Sequence, residues 1–109
     1  MSSDSRKAKI EAMLAETPQD QFLRYCLAME LNKEGSHEAA LEYFSGLTRD
    51  DRPYVPSFFQ AGQMLAGLKR VEEARAFLRD GIDVARKQGD AHAAGEMGEF
   101  LSSLGRLGE

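Results

Sequence analysis

Apolar residues return every three or four positions along most of the chain, in six segments separated by proline, glycine and short polar stretches. That is the helical period. No run of β-branched or aromatic residues alternates with period two, so the pattern predicts an all-α protein. A first helix is expected over about residues 4–16, with Ile10, Met13 and Leu14 on its apolar face and Ser3, Asp4 or Ser5 as its cap. A second runs from about Gln19 to Glu34, carries Phe22, Leu23, Cys26, Leu27, Met29 and Leu31, and stops at Gly35, the residue type that most easily ends a helix in the left-handed conformation. Ser36 is placed to cap a third, His37 to Thr48, that buries Ala40, Leu41, Phe44 and Leu47. After the loop Asp50-Asp51-Arg52-Pro53 come a fourth helix (Val55 to Leu68), a fifth (Val71 to Lys87) and a sixth (Ala91 to about Leu104) capped by Asp90.

The third and fifth helices echo each other. Glu38 to Phe44 reads EAALEYF, and 34 residues later Glu72 to Leu78 reads EEARAFL. Shifting by that interval lays Ala74 on Ala40, Leu78 on Phe44, Phe77 on Tyr43, Gly62 on Ala28, Leu65 on Leu31 and Phe59 on Tyr25. Two unrelated amphipathic helices would agree in polarity. They would not be expected to match small residues at both Ala28/Gly62 and Ala40/Ala74, where closely approaching helix backbones demand them.

A repeating helix-turn-helix of this length resembles the tetratricopeptide repeat. The resemblance implies an all-α helical-repeat solenoid of about six antiparallel helices forming one domain over 1–109. It divides the chain into a half-repeat over 4–20, full repeats over 21–54 and 55–88, and a capping helix over 91–105. Ile10 and Met13 would face the stack, and Pro18 would close the leading half-repeat. The sixth helix fits the register with Met97, Gly98 and Leu101 if the preceding turn is about two residues longer. Three positions depart from the family pattern: Arg24 where a large aromatic is usual, Lys69 where glycine is usual, and Pro53 one place late.

In such a stack the first helix of each repeat lines a concave surface. The resemblance therefore implies a partner-binding groove of Phe22, Tyr25, Met29 and Asn32 from one repeat and Pro56, Phe59, Gln63 and Ala66 from the next, with Glu99 closing the row. Aromatic side chains exposed on a small domain mark a contact surface. The expected occupant is an apolar or aromatic peptide or helix of a protein partner; the alternative is a second copy, giving a homodimer through the same strip. The family's grip on a peptide carboxylate uses lysine, arginine and asparagine at places that here hold Tyr25, Met29, Gln60, His92 and Glu96; with no fixed cation and one acid, this groove is not expected to hold a peptide carboxylate.

Composition narrows the function further. A net charge of −4 and no dense run of Lys and Arg argue against nucleic acid and anionic membrane as partners. No stretch approaches the ~18 apolar residues of a membrane span, and the start of the chain does not read as a secretory signal. With the single cysteine unable to form an internal disulfide, the cytoplasm is the expected location. Neither His37 nor His92 has a second ligand at metal spacing, Cys26 has no histidine to activate it, and the scattered glycines follow no strand. The chain is therefore expected to be no enzyme, with no metal and no cofactor.

Overall fold

The computed structural model describes the backbone of residues 3–107 and the side chains of residues 6–105. Six helices follow in order: α1 Ser3–Glu16, α2 Gln21–Lys33, α3 His37–Thr48, α4 Val55–Gly67, α5 Val71–Lys87 and α6 Ala91–Leu107. There is no strand among the described residues. Helix α2 begins two residues later than the apolar period suggests because Asp20 takes the capping place, its Oδ1 accepting the Leu23 N–H at 2.8 Å. Asp90 does the same for α6, accepting the Ala93 N–H at 3.0 Å. Ser36 stands at the N-cap of α3 but caps nothing with its side chain; its hydroxyl donates to Glu34 at 2.8 Å. The expected caps of α1 are side chains outside the described residues.

Each helix packs on the next, and α4 also touches α6. Gly62 of α4 meets Leu78 of α5 while the earlier Phe58 meets the later Gly81, so the two helices run in opposite senses. The small residues are there because the backbones approach closely. A methyl group on Gly62 would fall 2.9 Å from Leu78, and one on Gly81 only 2.5 Å from Cβ of Phe58 and 2.6 Å from the sulfur of Met97. Ala28, Ala40 and Ala74 are fully buried for the same reason.

The apolar faces merge into two adjoining clusters. Ile10, Leu27, Leu31, Phe44 and Met64 fill the space among α1 to α4, and Phe58, Leu65, Leu78, Met97 and Leu104 that among α4 to α6. Leu41, expected to be buried outright, and Phe77 are partly buried and touch both clusters, which makes the interior continuous along a body 41 × 29 × 20 Å in extent. Burial of a side chain such as Phe44 contributes about 1.5–3 kcal/mol.

The first helices of the repeats begin at Gln21, Val55 and Ala91, the last interval being two residues longer than the first. The extra length expected in the turn before α6 lies instead in α5, which has 17 residues against 12 in α3, while the turn that follows it is the shorter of the two. The turn inside each full repeat passes through a left-handed residue: Gly35 at φ 91° and, at the equivalent place, Lys69 at φ 67°. The departure at Lys69 thus keeps the family's conformation without the family's residue. Arg24 replaces its aromatic by holding the loop: its guanidinium donates to Asp50 at 2.7 and 3.2 Å, and Gln21 donates to the same carboxylate at 2.9 Å. Asp50, in the loop that joins the two repeats, is therefore a structural anchor. One expectation at the start of the stack fails. Met13 is 49% exposed and does not face the stack; Leu14, one helical turn from the buried Ile10, packs there instead.

Candidate functional site

Helices α2, α4 and α6, the first helices of their repeats, each contribute residues to the surface around Tyr25. Two surface hollows lie there and share Tyr25. The first, 150 Å³, is bounded by Tyr25, Pro56, Phe59, Gln60, Ala93 and Glu96. The second, 420 Å³, is bounded by Arg6 of α1 and by Tyr25, Met29, Glu30, Asn32 and Lys33 of α2.

Tyr25 owes its position to aromatic packing on two sides. Its ring lies 6.2 Å from that of Phe44 and 5.4 Å from that of Tyr54, both tilted as the ring quadrupoles prefer. Burial pushes its phenol above the ordinary value, with Tyr54 adding to the rise and Gln60 opposing it. Phe59 is held in the same way by Phe100 of α6, ring to ring at 6.1 Å. Both are half-buried, each presenting part of a ring whose remainder is fixed from behind.

The structure brings Tyr25 with Phe59, and Tyr25 with Met29 and Asn32, into common hollows. It does not bring in all six of the expected groove residues. Phe22 is 62% exposed near the start of α2 and lines neither hollow. Gln63 is exposed and lines neither hollow; Gln60, three residues earlier on α4, takes the place beside Tyr25. Asn32 reaches the edge of the larger hollow with its amide oxygen 3.0 Å from Nδ1 of His37.

Glu30 was not expected here at all. It is 8% exposed; one carboxylate oxygen lies 3.0 Å from Nε of Arg6, and the other is buried without a hydrogen-bond partner. Subtracting the repeat length from Met64 would have pointed to the position, but not to the carboxylate's burial.

Among the described residues no cluster of three or more His, Cys, Asp and Glu side chains is arranged to hold a metal ion. Cys26 is partly buried at the edge of the larger hollow, and burial pushes its thiol up, away from the reactive thiolate. The arrangement offers half-buried aromatic and thioether surface with carboxylates beside it, which suits recognition of a side chain. No described helix is long and apolar enough to cross a membrane.

No family model matches the chain, and no curated protein matches it. Solved structures do. A solution structure of a tetratricopeptide repeat domain protein from Salinibacter ruber is 31% identical, covers 80% of this chain and 88% of its own, and superposes with a TM-score of 0.74. A crystal structure of a tetratricopeptide repeat domain protein from the same organism is 30% identical over 82% of this chain and 99% of that one, with a TM-score of 0.73. A solution structure of a protein from Bordetella parapertussis, 27% identical, covers 93% and 88% with a TM-score of 0.78. With the internal repeat, the small residues at its close approaches and these likenesses taken together, the chain belongs to the tetratricopeptide repeat family.

Proposed function

We propose that the protein is a non-catalytic interaction module that binds an apolar or aromatic segment of a protein partner along the side formed by α2, α4 and α6. The observation that supports this most is the sharing of Tyr25 by two adjoining hollows, which makes one surface of Tyr25, Met29 and Phe59. Tyr25 is braced by Phe44 and Tyr54, and Phe59 by Phe100, so little ordering entropy of these rings opposes binding. In a cytoplasmic setting, which fits the chain's single free cysteine, such a surface would take a peptide or a helix face.

The test is a peptide-display selection against the wild-type chain, followed by affinity measurement on Met29→Lys. That substitution keeps an aliphatic stem against α2 and places an ammonium in the groove. Selected peptides should lose most of their affinity while helicity and melting stay close to wild type. Peptides that bind the variant as well as the parent would sink the reading.

A second reading, self-association, is favoured by Phe22, whose ring is the most exposed large apolar side chain among the described residues. In that case scattering mass rises with concentration and Phe22→Ser abolishes the rise. A monomer at every concentration ends it.

A further inference from the structure

Resting on the groove reading, we propose that the larger hollow is a subsite for a basic side chain: the partner segment carries lysine or arginine among its apolar residues, and Glu30 receives that cation beside Tyr25 and Met29.

Repeat equivalence makes Glu30 stand out. One repeat later its place is held by Met64 and that of Arg6 by Ala40, and these two lie together in one apolar cluster. At the leading end the same contact is built from a carboxylate and a guanidinium instead. Stability alone does not account for the exchange, because burying a carboxylate costs desolvation that a methionine avoids, and apolar replacements of buried pairs are often neutral or stabilising. Nor is the pair a closed one. Arg6 is 68% exposed on its side-chain surface while Glu30 is 9% exposed on its own, and one Glu30 oxygen has no hydrogen-bond partner. The spare oxygen has almost no accessible surface of its own, so an outside cation reaches Glu30, on the wall of the 420 Å³ hollow, by taking the place of the largely exposed Arg6.

Arg6 then reads as a placeholder, a cation of the chain's own that the partner's cation displaces. Asp90 and Glu96 on the adjoining hollow bring the groove to three acids against Lys33 and the displaceable Arg6, and Tyr25, Met29 and Phe59 offer apolar surface to the stem of a lysine or arginine. The occupant that matches both is a segment mixing apolar and basic residues.

The experiment uses three labelled peptides of about a dozen residues, identical in their leucine and alanine positions and carrying lysine, glutamate or serine between them. Fluorescence anisotropy is read at low salt on the whole chain. The lysine peptide should bind about tenfold or more tighter than the glutamate peptide. Glu30→Met, which copies the equivalent residue of the next repeat and so should fold, should erase most of that preference. Arg6→Ala should raise affinity for the lysine peptide severalfold by freeing the carboxylate. If Glu30 merely anchors α1 through Arg6, Arg6→Ala would lower affinity or leave it unchanged, and the subsite would be refuted. Equal binding of all three peptides, lost in Met29→Lys, would overturn the subsite and leave the groove standing. No binding by any of them, or binding indifferent to Met29→Lys, would overturn both.

Discussion

Lys69 shows how a single residue can hold a family's conformation at a cost. An L-residue in the left-handed region carries a penalty of about 1–2 kcal/mol, and glycine escapes it while losing about 0.5–1 kcal/mol of unfolded-chain freedom. At φ 67° the balance favours glycine, so Lys69→Gly is expected to raise stability by about 0.5–1 kcal/mol in urea unfolding. A loss of stability would mean that the lysine side chain is itself held.

Asp50 makes the opposite point, that a loop carboxylate can be structural. The hydrogen bonds from Arg24 hold its acid below the ordinary value against an upward push from burial, with the Gln21 hydrogen bond and the Arg24 charge adding to the lowering. A carboxylate depressed in the folded state stabilises above its unfolded pKa, near 3.9, and that stabilisation is lost as pH falls through the depressed folded value. Asp50→Asn should therefore cost about 1–2 kcal/mol at neutral pH, and the difference from wild type should shrink below about pH 4. A difference that persists unchanged into acid would assign the anchor to something other than charge.

At the scale of the helices, close approach decides which glycines matter. Gly81 has Phe58 and Met97 against it, whereas Gly98, at the place in α6 equivalent to Gly62 in α4, has nothing within 4 Å of the position a methyl would take. Gly81→Ala should destabilise by about 1–3 kcal/mol through overpacking, while Gly98→Ala should stabilise by about 0.5–1 kcal/mol through helix propensity. Thermal melts of the two variants against wild type separate a packed helix pair from an open face. Equal and small effects would contradict the stacked geometry.

The pairing of small with small across one repeat length was legible in the sequence because sterics demand it wherever helices touch, and the six helices followed within a few residues. Other features were not legible, for physical reasons. The extra length of α5 obeys the same apolar period whether it lies in helix or turn. Met13 and Leu14 are both apolar, and only the angle at which α1 meets α2 selects Leu14. Gln60 and Gln63 are the same residue one helical turn apart, so nothing local indicates which one borders Tyr25. Glu30 reads as an ordinary surface acid until its burial between α1 and α2 is known.

At the scale of the whole molecule, the stack is asymmetric in what it presents. Its interior runs unbroken through the two apolar clusters, so the fold does not depend on the groove side chains being covered. The proposed groove is braced aromatic surface on the α2, α4 and α6 side with acids at its walls, and among the described residues of α1 Arg6 borders it. On the proposed reading the functional surface lies on the first helices of the repeats, with α3 and α5 as support. The most direct test is a nuclear magnetic resonance titration of labelled protein with a display-selected peptide. The account predicts shifts concentrated at Tyr25, Met29, Phe59 and Glu96 and little change along α3 and α5. Shifts that cluster on α3 and α5 and spare Tyr25 and Phe59 would contradict it.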